Sequence, residues 1–240
     1  MRALRILIVL VVILGGLFVI ADRVAVHFAQ GEVADKVKAR ENLSQTPDVD
    51  IKGFPFLTQV AGGSLDDVEI GIKGFTTPAA ANGASIRIDD LRADMHDVRF
   101  SGDYSSATAA RATGTATISY DELMKAAKTE PTNLGVFTAQ VAGLSYGGDG
   151  KLKVAFKVSV LPKPVYLKSS LAVEGNQLKI TADGLPKLGA LSIGESQIRS
   201  VTDFRQAINR LPGGVQLDQV RATPDGLKIT VKGTDVKLGG

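Results

Sequence analysis

The dominant spacing of the apolar residues in this chain changes at Val49, and that change restricts the fold to one class. Before it, Ala25, Val26, Ala29, Val33, Ala34 and Val37 recur at i, i+3 and i+4 and predict a helix over residues 22–44. The members of this stripe are small, so a second layer can approach closely. Gly31 weakens the helix by about 1 kcal/mol relative to alanine, and Pro47 lies just past its end. From Val49 onward the period is two. Val49 and Ile51 alternate with Asp50 and Lys52, and Val68, Ile70 and Ile72 alternate with Glu69, Gly71 and Lys73. Ile86 and Ile88 share a face, whereas Leu91, Ala93 and Met95 continue on the opposite parity, so a β-bulge is expected at Asp89-Asp90.

The alternation continues to the end of the chain. Strands are expected at Ala112–Ile118, over 135–146 and 151–161, and around Val165–Val173 and Leu178–Ala182. A closing hairpin turns at Thr223-Pro224-Asp225-Gly226. Two short helices interrupt the series. Ser119-Tyr120-Asp121-Glu122 has capping-box spacing, with Leu123, Met124 and Ala127 as the buried side. The second is predicted over 201–211, capped by Ser200, with Val201, Phe204, Ile208 and Leu211 on one face. Alternation with a polar face implies antiparallel sheet. A helix followed by strands implies α+β: a long N-terminal helix packed in a strongly curved antiparallel sheet, with two short inserted helices.

Arg2 and Arg5 precede Ile6–Ala21, sixteen residues without a charge, and Asp22 and Arg23 end the run. The run is slightly short of the about 20 residues of a spanning helix. It fits either a signal peptide, cut before Asp22 after Val19-Ile20-Ala21, or an uncleaved signal anchor with its positive end inside. Residues 1–21 are thus a targeting segment. Residues 22–240 form one expected domain outside the cytoplasm, at the outer face of the cytoplasmic membrane.

Without the targeting segment the chain carries 26 Lys+Arg against 25 Asp+Glu. That balance gives no electrostatic footprint for nucleic acid, and the chain has no Trp for base stacking. Cysteine is absent, so the 219 exported residues rely on an apolar core. Five lysines, Lys151, Lys153, Lys157, Lys163 and Lys168, fall close together. They read either as the solvated face of a sheet or as a surface attracted to anionic headgroups, with Leu161–Val165 as its most exposed turn.

Catalytic equipment is thin. His27 and His96 are the only histidines, and no His/Cys cluster has metal spacing. No phosphate loop, dinucleotide fingerprint or nucleophile elbow is present. Ser64, after Gly62-Gly63, lacks the second flanking glycine of a serine elbow, and His96-Asp97, adjacent on a strand, point to opposite faces. The carboxylates Asp66, Asp67, Asp89, Asp90, Asp94 and Asp97 lie at expected strand edges or turns. No enzyme activity, catalytic residue, metal or cofactor is expected.

The block Gly53-Phe54-Pro55-Phe56-Leu57-Thr58-Gln59-Val60 crowds large apolar side chains around a proline, which stiffens the backbone and favours extended structure before it. It is expected to be a rigid, extended corner between helix and sheet. This block, with Gly62–Phe75 after it, Leu211-Pro212-Gly213-Gly214-Val215 and Asp225-Gly226-Leu227, resembles the LmeA-like family of exported bacterial phospholipid-binding proteins. The resemblance runs from about residue 24 to the end of the chain. It implies a half-barrel similar to tubular lipid-binding proteins, with acyl chains between helix and sheet. The implied partners are a phospholipid or glycophospholipid, the membrane, and an envelope glycosyltransferase receiving the lipid. Candidate lining residues are Phe54, Phe56, Leu57, Val154, Phe156, Val158, Leu167 and Leu171. The competing expectation is a membrane-anchored scaffold with a solid core and no lipid ligand.

Overall fold

Helix α1 runs unbroken from Arg2 to Arg40, joining the charge-free apolar run to the amphipathic helix predicted after it. The structure is a computed structural model and describes residues 2–78, 85–126, 130–135, 137–184, 199, 202–207 and 214–238. The apolar first half of α1 is long and apolar enough to cross a membrane. The helix stops at Arg40, four residues short of the expected end. Asn42 takes a left-handed φ of 50°, and Leu43 N–H donates to the Lys38 carbonyl at 2.9 Å, which is the Schellman closure. Lys38 and Arg40 in the last turn oppose the negative end of the helix dipole.

The remaining elements are β1 (Asp48–Lys52), α2 (Phe56–Ala61), β2 (Ser64–Pro78), β3 (Ser85–Phe100), β4 (Ala107–Ile118), α3 (Tyr120–Ala126), β5 (Thr132–Asn133) and β6 (Thr138–Tyr146). After them come β7 (Leu152–Val158), β8 (Val165–Glu174), β9 (Gln177–Ala182), β10 (Phe204–Ala207), β11 (Val215–Thr223) and β12 (Gly226–Leu238). The fold is α+β, a long N-terminal helix followed by strongly curled antiparallel sheet, as the change of period implies. The strands form two six-stranded sheets, ordered β1-β2-β3-β4-β12-β11 and β10-β9-β8-β7-β6-β5. Two compact units result: Met1–Ile72 with Arg92–Ala112 and Gly233–Gly240, and Lys73–Leu91 with Thr113–Lys232.

In the first unit, β1 pairs antiparallel with β2, Val49 opposite Ile70 and Ile51 opposite Val68. The inward parity of these strands buries Val49, Ile51, Leu65 and Val68 with Met95, Val98 and Ala109. The small-residue stripe of α1 supplies the rest of this core: Val26 and Ala34 are buried, and Ala25, Ala29 and Val33 pack partly against it. β3 runs continuously through Asp89-Asp90; its left-handed residue is Asp97, at φ 52°.

In the second unit, β6, β7, β8 and β9 pair in antiparallel succession. A register shift between Val141 and Gly143 marks an irregularity in β6. Helix α3 forms where expected, but its capping differs from the reciprocal box. Ser119 Oγ accepts from Glu122 N–H at 3.4 Å, while Ser119 N–H donates to Asp89 Oδ2 at 3.2 Å. Glu122 instead accepts from Arg87 N–H at 3.1 Å and binds Lys125. The Lys125 hydrogen bond, with that from Arg87, holds the Glu122 carboxyl below the usual range.

The helix predicted over 201–211 is corrected by the structure. Residues 204–207 form β10, with Phe204 opposite Ile180 and Arg205 opposite Lys179. Helical spacing of Phe204 lost to the unpaired N–H and C=O groups of the β9 edge, which offer a strand partner. Ser200, Val201, Ile208 and Leu211 of that expected helix lie outside the described residues.

Candidate functional site

The eight candidate lining residues fall into the two units, three in the first and five in the second. In the first unit the Gly53–Val60 block is not extended throughout, as its proline suggested. Gly53 takes φ +97°, the Phe54–Pro55 bond is cis, and α2 begins at Phe56. The turn into α2 sends the two phenylalanines to different environments. Phe56 is 7% exposed and joins the core with Val26, Ile51 and Leu65, a burial that contributes about 2 kcal/mol. Phe54 is 57% exposed, and Leu57 also faces outward.

What holds this block was invisible in its own residues. Asp22, at the end of the charge-free run, is completely buried. Its Oδ1 accepts from the Leu57 N–H at 2.8 Å, across 35 residues of chain. Pro55 is the N-cap residue of α2 and offers no side-chain cap, so a carboxylate from α1 supplies the missing acceptor. Arg23 pairs with the other Asp22 oxygen, and its guanidinium lies 5.2 Å from the centre of the Phe54 ring, a cation–π contact. Thr58 Oγ1 donates to the Pro55 carbonyl at 2.9 Å, and Gln59 Oε1 accepts from Asp66 N–H at 2.8 Å. Tyr104, in the β3–β4 turn, closes the far end by donating its hydroxyl to the Val60 carbonyl at 3.0 Å. Asp103 organises that turn: the hydroxyl of Ser101, then the N–H and hydroxyl of Ser105, bind its carboxyl and hold it down at about 2. The outer face of α1 beside this block carries exposed Val24 and Phe28. The only sequence signal for Asp22 was its place as the first charge after an apolar run.

In the second unit the alternation of β7 puts Leu152, Val154, Phe156 and Val158 on one buried face. Leu144 and Leu167 flank Val154 on the neighbouring strands, and Val141 and Val165 flank Phe156. Leu152, Val154 and Phe156 form a buried cluster, against which Tyr120, Val141, Leu144, Leu167, Leu171 and Ile180 pack. Val158 is buried at the end of the strand. Leu171 also packs on the neighbouring cluster of Leu217, Val220 and Leu227. The structure therefore gathers Val154, Phe156, Leu167 and Leu171 into one apolar face. It divides them into filled positions (Val154, Phe156) and partly open ones (Leu167, Leu171). Tyr120 anchors α3 through a 2.6 Å hydrogen bond from its hydroxyl to the Thr223 carbonyl, and burial raises its pKa.

One polar side chain interrupts this face. Ser169 lies between Leu167 and Leu171, opposite Leu152 on β7 and Ala182 on β9. It is 1% exposed, and its hydroxyl has no hydrogen-bond partner among the described residues. An unsatisfied buried hydroxyl costs about 1–3 kcal/mol. Ser169→Ala is therefore expected to stabilise the chain by about 1 kcal/mol in urea unfolding; a loss of stability would mean that the hydroxyl is bonded in solution.

The adjacent residues His96 and Asp97 take different partners. His96 Nδ1 approaches Asp67 at 3.4 Å, whereas Asp97 turns away to Arg111 at 2.9 Å. Ser64 opens β2. Among the described residues no group of three or more His, Cys, Asp or Glu side chains is placed to hold a metal ion.

No curated protein and no solved structure is similar enough to match the chain. The LmeA-like phospholipid-binding family does match, over residues 20–232, from the last turn of the apolar run to the closing hairpin. With the match covering most of the chain, the protein belongs to the LmeA-like phospholipid-binding family.

Proposed function

We propose that the protein is exported, held at or delivered to the outer face of the cytoplasmic membrane by residues 1–21, and holds phospholipid acyl chains for transfer or for presentation to envelope glycolipid assembly. Phospholipid binding is the family's property. The observation that carries the finer reading is the apolar face of the second unit, where Leu167, Leu171 and Ile180 stay partly open over a buried floor of Val154 and Phe156. An acyl chain laid on such a face removes apolar surface from water at about 25 cal/mol per Å². In the first unit, Phe54 and Leu57 project beside the end of the apolar run and serve as contacts with the membrane interface, where aromatic side chains concentrate. A lipid-free scaffold is the second reading, favoured by the full burial of Val154, Phe156 and Val158.

Extraction separates the two. The chain purified from a bacterial host is expected to carry phospholipid detectable by mass spectrometry and to take up labelled phospholipid from vesicles. Reproducible absence of both leaves the scaffold. The mass of the isolated chain also decides between cleavage at Ala21 and an intact anchor.

A further inference from the structure

The outward face of the second sheet carries a charge pattern that works against its own folding. Residues 151–173 contain five lysines and no acidic residue. Because β7 buries its even positions, Lys153 and Lys157 share its other face. Lys153 stands directly opposite Lys168 on β8, and Lys179 directly opposite Arg205 on β10. Like charges placed directly opposite are destabilising. Two acids relieve part of this repulsion: Asp183 is 2.8 Å from Lys151, and Glu174 is 2.8 Å from Lys179. Lys153, Lys157, Lys163 and Lys168 have no carboxylate partner among the described residues.

Apolar groups sit among these cations. Tyr166 is 61% exposed, with the Lys153 ammonium 5.7 Å from its ring centre, and Val160 is 50% exposed. The β7–β8 turn ends in exposed Pro162, Lys163 and Pro164. We propose that this face and its turn form a docking surface for a bilayer carrying anionic headgroups. Lysines meet phosphate at the headgroup level while their stems lie along apolar surface, and Tyr166, Val160 and the prolines enter the boundary below. The exposed apolar tip favours a bilayer over an acidic protein or glycan, which would need only the charges. The surface is separate from the apolar face on the opposite side of the same strands, so it stands or falls independently of acyl-chain binding.

The test reconstitutes the full chain through its apolar helix into phosphatidylcholine vesicles. Their capture of a second, labelled vesicle population is then measured. Acceptors of phosphatidylcholine with phosphatidylglycerol are expected to be captured, acceptors of phosphatidylcholine alone are not, and added salt weakens capture. Each lysine contributes about fivefold to surface binding, so Lys153→Gln/Lys168→Gln is expected to lower capture roughly 25-fold. Its thermal midpoint stays the same or rises, because a repulsive pair is removed. Lys163→Gln, in the turn and outside the strands, gives a second reading of about fivefold. Equal capture of neutral and anionic vesicles, no capture of either, or capture unchanged in these variants overturns the proposal. Lipid extracted from the same preparations reports acyl-chain binding separately.

Discussion

Replacing Asp22 by alanine is expected to lower the unfolding free energy by about 3 kcal/mol, a large share of a typical total of about 5–15. The carboxylate is wholly buried and accepts the Leu57 N–H at 2.8 Å. It stands in for the cap that Pro55 cannot provide. Alanine leaves the first-turn donors of α2 without an acceptor in a place water does not reach, at a cost of about 1–3 kcal/mol for each. Asp22→Asn keeps an acceptor oxygen and is expected to cost about 1–2 kcal/mol less than alanine. Arg23→Gln removes a half-exposed partner and costs under about 1 kcal/mol. Urea unfolding of the three variants measures the order, and hydrogen exchange at the Leu57 amide localises it. Equal losses for Asp22→Ala and Arg23→Gln would show that the ion pair, and not the cap, carries the effect.

The larger loss is expected at Gly226. It opens β12 at φ +149°, a conformation that side-chain-bearing residues rarely adopt. A Cβ there would stand 2.2 Å from the Ile118 carbonyl oxygen and 2.8 Å from its carbon. Both obstacles are backbone at the junction of β4 and α3, so relief requires moving that junction. Backbone strain of about 1–3 kcal/mol and a steric cost of about 1–3 kcal/mol add, and Gly226→Ala is expected to cost about 4 kcal/mol or more. Gly175 is the control: it also has positive φ, at +61°, but a Cβ added there would meet no atom within 4 Å. Gly175→Ala should cost about 1 kcal/mol. Denaturation midpoints of the two variants check the contrast, and similar losses would refute the steric account.

Much of the fold was legible because it rests on local periodicity. The stripe from Ala25 to Ala34 does face a core, and the even residues of β7 are buried. The hairpin at Thr223–Gly226 closes as its turn residues imply. The misread elements are those settled by partners far away in sequence. Phe204 has a helical neighbourhood by spacing, yet pairs with Ile180 because the β9 edge needs a strand. The proline of the Gly53–Val60 block implies one stiff unit, yet the block turns into α2 after Pro55 and separates Phe54 from Phe56.

The candidate site divides along the same line. Apolarity and parity identify a buried face but cannot rank how far each position is filled. Packing made that distinction, leaving Leu167 and Leu171 partly open and closing Val154, Phe156 and Val158. In sequence terms Asp22 is the charge that ends an apolar run, and the lysines of 151–168 are either a solvated sheet face or a surface for anionic headgroups. Their tertiary surroundings made one a buried cap for a distant helix and set two of the others opposite each other across adjacent strands. The sequence by itself determined the helix-then-strand order, the apolar N-terminal run and the family resemblance, because each follows from neighbours along the chain. Only the tertiary structure decided which polar groups are buried, which apolar ones stay exposed and which charges stand opposite one another, because desolvation and pairing depend on residues brought together from far apart.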